Sequence, residues 1–315
     1  MKYDIVTSGY ISMDRIIKVE SPLEIGYTSI ISNSDNTKVY YGGCPINISC
    51  ILGKLGLKAL PIIRVGEDAD TAEFIKYLES ANVILDAVDV IKGESSSNCY
   101  IVSDKNNNHV TIFYPGAMDS KYSKDMADEF FAASKLGVLT VGSYKDNLEF
   151  YNKCKKYKLP IVFGTKLDYD AFPKDFLKEI MLNSKIIFSN ESEAKDIISI
   201  MDIDDITDLF KLGSAEIIVT TLGENGSQYY AKTTTGFETE KIRPCKAERV
   251  ADATGAGDAY ISGFLYGYLN DKSIRESCYM GSVMSSFIIE SVGCTTNAPS
   301  YEVFSKRYEA YLKSI

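Results

Sequence analysis

The stretch Ala251-Asp252-Ala253-Thr254-Gly255-Ala256-Gly257-Asp258 runs straight into Ala259-Tyr260-Ile261-Ser262-Gly263-Phe264-Leu265-Tyr266-Gly267. Small residues thus open an apolar helix expected over Ala256–Leu269. Gly255, Ala256 and Gly257 leave their N–H groups unobstructed at its N-terminus, where unpaired donors and the positive end of the helix dipole stabilise an anion. Asp258 falls in the first turn. The residues alone leave two readings of it open: a carboxylate that complements the dipole, or a general base held beside an anion site. Phosphoryl transfer needs that pairing, with one group to take a hydroxyl proton and donors to hold the charge on the phosphoryl oxygens.

Outward from this helix, short apolar runs alternate with amphipathic stretches over the whole chain, the pattern of a mostly parallel sheet covered by helices on both faces. Strands are expected at Tyr3–Ser8, Ala59–Val65, Leu136–Val141, Pro160–Phe163, Lys185–Ser189 and Glu216–Thr221. Further helices are expected at Ile46–Leu55, Ala69–Ala81, Lys124–Ser134, Asn147–Tyr157, Glu191–Met201, Ile203–Leu212, Ile274–Glu290 and Tyr301–Leu312. Two regions, Val19–Tyr41 and Asn98–Tyr114, alternate polar and apolar residues between Asn, Ser and Asp turns and read as antiparallel strands. They form either a small lid sheet or an extension of the core. The length allows one large α/β domain, two smaller ones or one core with a small lid, and with no internal repeat and no flexible linker the expected organisation is a single domain over 1–315 with a lid near 19–41 and 98–114.

Composition narrows the chemistry. With 45% hydrophobic and 24% charged residues the chain is an ordinary globular protein, and a net charge of −9 with no Lys/Arg arm argues against nucleic acid as a partner. No window is apolar enough to span a membrane and no leader is visible, so the membrane is not an expected partner and the cytoplasm is the expected setting. The seven cysteines include no Cys-x-x-Cys pair, which speaks against a zinc or iron–sulfur site. The single histidine, His109, closes the turn-like cluster Asn106-Asn107-Asn108-His109, so any histidine-based mechanism would rest on a turn residue.

Three further motifs carry polar groups in suggestive places. Tyr41-Gly42-Gly43-Cys44-Pro45-Ile46-Asn47 opens a helix, with Pro45 suited to its first turn. The glycines serve a tight turn or a close ligand approach, and the Asn47 amide can both donate to and accept from a polyol. The strand Lys185–Ser189 ends in Asn190-Glu191-Ser192-Glu193, which reads either as a capping box or as a site that orders the hydration shell of magnesium. Val219-Thr220-Thr221-Leu222-Gly223-Glu224-Asn225-Gly226 is a strand ending in a glycine-bracketed turn, on its face a hairpin.

In this order and approximate spacing, Gly42-Gly43…Asn47, Asn190…Glu193, Thr221-Leu222-Gly223…Gly226 and Gly255-Ala256-Gly257-Asp258 resemble the ribokinase-like, PfkB-type carbohydrate kinases over nearly the whole chain. The resemblance implies a three-layer α/β/α core with a small β lid, and transfer of the ATP γ-phosphoryl group to a hydroxyl of a small molecule. Asp258 would be the base, and Gly255, Ala256 and Gly257 the anion hole. Asn190 and Glu193 would act through magnesium and water, Thr221, Gly223, Gly226 and Gly257 would lie along the nucleotide, and Asp14, Gly42, Gly43 and Asn47 would hold the acceptor. Asp252 and the loop Ser291–Asn297 would sit beside a monovalent cation such as potassium. Phe113-Tyr114-Pro115-Gly116-Ala117-Met118 looks like the corresponding segment of bacterial adenosine and other nucleoside kinases, so Phe113 and Met118 would flank a base, or else be packing under the lid. The acceptor-side loop Gly164-Thr165-Lys166-Leu167-Asp168 departs from the adenosine kinase pattern by lacking glutamines, and Lys166 there favours a polyol or an acidic group. A nucleoside acceptor is therefore expected first, and a free sugar, sugar acid or polyol second. Lid strands of this kind also suit pairing of two chains in a homodimer.

Two other functions compete. A dinucleotide-dependent oxidoreductase would carry Gly-x-Gly-x-x-Gly after the first strand, where Thr7-Ser8-Gly9-Tyr10 has one glycine. A non-catalytic sensor on the same scaffold would have no chemical need for Asp258.

Overall fold

The structure is a computed structural model, and it describes every residue of the chain except Asn107. In chain order its regular elements begin with β1 (Tyr3–Ser8), β2 (Ser12–Lys18), β3 (Tyr40–Gly42), α1 (Cys44–Lys54), β4 (Ala59–Val65) and α2 (Ala69–Ser80). Then come β5 (Val88–Val90), β6 (Asn98–Ser103), β7 (His109–Tyr114), α3 (Asp128–Ala132), β8 (Ser134–Leu139), α4 (Tyr144–Tyr157), β9 (Ile161–Gly164), α5 (Lys174–Asn183) and β10 (Ser184–Asn190). The chain ends through α6 (Glu191–Met201), α7 (Leu209–Leu212), β11 (Ile217–Thr221), β12 (Ser227–Thr233), β13 (Gly236–Ile242), α8 (Ala256–Leu269), α9 (Ile274–Ile288) and α10 (Tyr301–Leu312).

The large sheet has nine strands in the order β13-β12-β11-β10-β9-β8-β1-β4-β5. It is parallel from β11 to β5, and β11, β12 and β13 form an antiparallel edge. The strands read as continuous apolar runs because successive side chains enter opposite layers, both of them dry. Val6, Leu139, Phe163, Ile187 and Ile218 pack with Phe150, Phe176 and Ile197 of α4, α5 and α6. Their neighbours Ile5, Val138, Val162, Ile186 and Val219 pack with Ile48 and Leu52 of α1 and Tyr260 and Phe264 of α8. This gives the expected helix–sheet–helix layering.

A second sheet of four strands, ordered β3-β2-β6-β7, stands apart from the first. Its strands differ from the expected ones. Ser12–Lys18 enters it and pairs with β6 in parallel, whereas Val19–Tyr41 is mostly irregular, with one bridge between Val19 and Ile31 before β3. Asn98–Tyr114 forms the expected antiparallel pair, β6 and β7. His109 is the first residue of β7, and Asn107 of its expected turn lies outside the described residues.

Other differences have local causes. The helix expected at Lys124–Ser134 shrinks to α3, and the residues before it run without regular structure, with Lys153 of α4 paired to Asp125 at 2.9 Å and to Asp128 at 2.7 Å. The helix expected at Ile203–Leu212 begins late, where Asp205 accepts from Thr207 N–H and starts a single tight turn before α7. Strands β5, β12 and β13 and helix α5 were not expected. Strand β5 is three residues long, and β13 is exposed along most of its length, so neither carries a core-facing pattern.

Candidate active site

All parallel strands of the large sheet end at one edge, and the loops that follow them converge there. Thr140 after β8, Gly164, Thr165 and Lys166 after β9, Asn190 and Glu193 after β10, and Thr221 at the end of β11 line one pocket of about 210 Å³. Its remaining wall comes from two helix starts, Cys44 of α1 and Gly257 and Asp258 of α8.

The start of α8 is set by packing. Gly255 caps the helix in the left-handed region at φ 80°, and a Cβ there would lie 2.7 Å from the Cys294 Cβ. Glycine is thus required twice over. No atom lies within 4 Å of a Cβ built on Gly257, so the space above the first turn is open to a ligand. The Ala256 N–H turns back to the Ala253 carbonyl at 3.2 Å, which leaves the first-turn groups after it as the freer donors.

Asp258 does more than complement the dipole. Its Oδ2 accepts a 2.7 Å hydrogen bond from Nδ2 of Asn47, which is 2% exposed on α1. The other amide atom of Asn47, Oδ1, is buried without a partner. It lies 3.7 Å from a Cβ built on Gly42, and the Asp14 Oδ2 lies 3.0 Å from the same point. The two motifs that the sequence separates most widely, around Asn47 and Asp258, therefore meet, and Asp14 joins them through the gap that Gly42 leaves. Gly43 holds the entry to α1 at φ 94°, where a Cβ would strike the Tyr10 carbonyl at 2.2 Å.

Burial pushes the Asp258 carboxyl above its ordinary range, and the Asn47 amide, the Cys44 thiol and the Lys166 ammonium hold it partly back. Burial also raises Asp14, against hydrogen bonds from the Ser12 hydroxyl and the Cys99 thiol, and the Asp252 charge raises it further. Cys44 stands well above the usual thiol range through burial and the nearby Asp258 charge, so it faces the pocket as a neutral thiol. A half-buried carboxylate made more basic by its surroundings, beside open helix donors, is equipped to take a hydroxyl proton while an anion is held next to it.

Across the pocket, Asn190 and Glu193 form a reciprocal cap on α6. The Glu193 N–H donates to Asn190 Oδ1 at 2.8 Å, and the Asn190 N–H donates to Glu193 Oε2 at 2.7 Å. Both still line the pocket, so the capping box and a ligand-facing role coexist. Burial raises the Glu193 carboxyl, with the Asn190 N–H and Lys166 pulling the other way. Thr221 reaches the pocket, whereas the hairpin beyond it joins β11 to β12 through one tight turn. Gly226 there is fixed by packing, since its Cβ would meet the Ile242 carbonyl at 2.0 Å, while the space over Gly223 is open.

Asp252 is engaged locally. It accepts from Thr254 N–H at 2.9 Å, from the Thr254 hydroxyl at 2.7 Å and from Gly293 N–H at 3.3 Å, which ties the loop before α8 to the Ser291–Asn297 loop. Phe113 and Met118 are placed very differently from one another. Phe113 is 38% exposed on β7 and packs edge-on to Tyr10, whereas Met118 is 2% exposed in the core with its sulfur accepting from the Arg64 N–H. Met118 thus occupies the packing role that the sequence left open for it.

One polar pair escaped the sequence reading. Arg64 in β4 and Asp146 in α4 form a buried two-pronged ion pair at 2.7 and 3.0 Å, and the same guanidinium holds the Ala117 and Met118 carbonyls at 2.8 and 3.2 Å. The signal was an arginine inside the apolar run Ala59–Val65, since a charge there must find a partner.

Comparison with known proteins agrees with this layout. The chain is 29% identical over 307 residues to a nucleoside kinase of Methanocaldococcus jannaschii, with 96% of each chain covered. The crystal structure of the nucleoside kinase of that organism, an archaeal member of the ribokinase family, superposes with a TM-score of 0.83 at 25% identity and covers 98% of this chain and 99% of the other. Arabidopsis thaliana ribokinase, solved with ribose and ATP, shares the fold with a TM-score of 0.83 at 19% identity over 98% of this chain and 99% of its own. The pfkB family of carbohydrate kinases matches residues 2–300, and the chain, an α/β protein with two helix starts meeting over a half-buried carboxylate, belongs to that family.

Proposed function

We propose that this kinase moves the γ-phosphoryl group of ATP to a hydroxyl of a nucleoside, with Asp258 as the base. The single observation that carries the reading is the Asn47–Asp258 hydrogen bond, which holds a basic carboxylate at the open start of α8. The nucleoside preference draws support from the similarity to the nucleoside kinase of M. jannaschii. Asp14, Gly42, Gly43 and Asn47 take the sugar hydroxyls, with the unpaired Asn47 Oδ1 available to accept from one of them. Phe113 offers an aromatic face to the base, and the buried Met118 lines its back at most. Gly257 and its neighbours hold the transferring group, while Asn190, Thr221, Gly223 and Gly226 border the nucleotide.

Among the described residues no three His, Cys, Asp or Glu side chains gather as a cation site. Asn190 and Glu193, which line the pocket, would hold the water shell of a magnesium ion carried by the nucleotide, and that ion would supply charge neutralisation for the phosphates. Asp252 and the Ser291–Asn297 loop are the residues proposed to border potassium. No helix is long and apolar enough to cross a membrane, and all seven cysteines are free thiols, which supports a reducing, cytoplasmic setting. Residues 1–315 work as one kinase domain with the small sheet as its lid. The exposed Val110, Ile112 and Tyr114 on the lid edge support pairing of two chains there.

The test is release of ADP from Mg-ATP over a panel of purine and pyrimidine nucleosides, ribose, fructose, inositol and sugar acids. Turnover confined to nucleosides is expected. Turnover confined to sugars, polyols or acids would move the acceptor to the second class, which the packing role of Met118 favours.

A further inference from the structure

Lys166 is the one basic side chain among the residues that line the pocket, where the other charged groups are Asp258 and Glu193. It follows β9 by two residues, so it leaves the middle of the sheet between β8, which Thr140 follows, and β10, which ends at Asn190. Three of the four lysines on the neighbouring α4 are held in ion pairs: Lys153 and Lys156 hold Asp128, and Lys155 holds Glu179. Lys166 is exposed and enters no ion pair among the described residues.

We propose that the Lys166 ammonium contacts the γ-phosphoryl group during its passage from ATP to the acceptor, supplying the positive charge that the helix start cannot. This rests on the phosphotransferase reading above. A triphosphate entering the pocket meets two carboxylates, Asp258 and Glu193, and a third, Asp14, stands close by. A helix N-terminus offers only about half an elementary charge against them. Beside the charge that magnesium would carry on the phosphates, a cation on the protein would draw the phosphoryl oxygens up to Asp258, and positioned cations do this work in other phosphoryl-transfer sites. The position of Lys166 suits that place. Its charge acts on Asp258, Cys44 and Glu193 at the pocket and on Cys99 of β6. The acceptor groups Asp14, Gly42 and Asn47 belong to β2, β3 and α1 and are not among the residues that line this pocket, whereas Lys166 lines it together with Asn190 and Glu193. A nucleoside offers the lysine hydroxyls to donate to but no charge to pair with, whereas the γ-phosphoryl group offers both.

The decisive comparison is between a nucleotide with a γ-phosphate and one without. Binding of the Mg complexes of ADP and of the β,γ-imido analogue of ATP is measured by calorimetry for the full chain and for Lys166→Met and Lys166→Arg, together with steady-state turnover. Lys166 is exposed, so both variants are expected to fold, and their unfolding temperatures verify it. In Lys166→Met the imido analogue should bind about 10-fold or more weakly and ADP within about 2-fold, with kcat down about 100-fold. Lys166→Arg should recover much of both losses, because charge is kept. Equal weakening of both nucleotides, or unchanged nucleotide binding with a raised KM for the acceptor, would overturn the assignment and, in the second case, make Lys166 an acceptor residue. The nucleoside assignment fails separately, if the wild-type chain phosphorylates none of the nucleosides. The nucleotide pair still decides Lys166 in that event, and failure of the wild-type chain to bind either nucleotide would remove both proposals.

Discussion

Replacing Asn47 by Leu isolates the contact on which the catalytic reading turns. The amide donates to Asp258 at 2.7 Å, and its loss leaves a desolvated carboxylate with less to hold its charge. A hydrogen bond to a charged group is worth about 1.5–3 kcal/mol. At 1.36 kcal/mol per tenfold in rate, kcat/KM at neutral pH should fall by about 10–100-fold. The sign of the pH effect follows from the causes. Burial already raises the Asp258 carboxyl and Asn47 opposes that rise, so removing the amide raises it further. The base acts deprotonated, and the acid limb of kcat/KM should therefore move to higher pH. Stability moves as well: leucine removes the cost of the buried, unpaired Asn47 Oδ1 but leaves the Asp258 carboxylate without its donor, so the unfolding temperature should fall at neutral pH and recover where Asp258 is protonated. The assay is the pH dependence of kcat/KM for the best acceptor, beside a thermal melt. An acid limb that stays in place, with kcat/KM within about twofold of wild type, would refute the claim that Asn47 tunes the base.

Asp258→Asn should abolish turnover and raise the unfolding temperature at neutral pH. A carboxyl whose folded-state pKa is raised binds its proton more readily folded than unfolded, so its contribution to stability is lost as pH climbs from the ordinary carboxylate range through the raised value. A melting point unchanged or lowered across neutral pH would contradict the burial cost assigned to Asp258. Arg64→Met should destabilise by about 3–5 kcal/mol because it strands the buried Asp146, and Arg64→Met with Asp146→Leu should recover most of that loss. Denaturant melts of the single and double variants decide it, and equal loss in both would show that the carbonyl contacts to Ala117 and Met118 outweigh the charge pair.

The layers were legible because β1, β8, β9, β10 and β11 are buried on both faces, where apolar runs leave little else for the chain to be. The lid was not. Ser12–Lys18 gains its place by pairing with β6, and neither strand has a dry face that would reveal the partnership locally. Strand β13 escaped for the same reason, since its exposed edge has no hydrophobic pattern to read. At the site, the glycines of both helix starts were readable as chemistry. That Asn47 donates to Asp258 was not, since the contact spans 211 residues and exists only after α1 and α8 pack side by side. Asn190 and Glu193 showed how a local reading can be complete and still leave room: the capping box is there in full, and the same two side chains face the pocket.

The most direct measurement of the central claim is mass-spectrometric detection of a phosphorylated nucleoside after incubation with Mg-ATP, run in parallel for the wild-type chain and Asp258→Asn. The account predicts a monophosphate product from the wild type and none from the variant, with Mg-ATP still bound by both. Product formed at comparable rates by Asp258→Asn would contradict the assignment of Asp258 as the base.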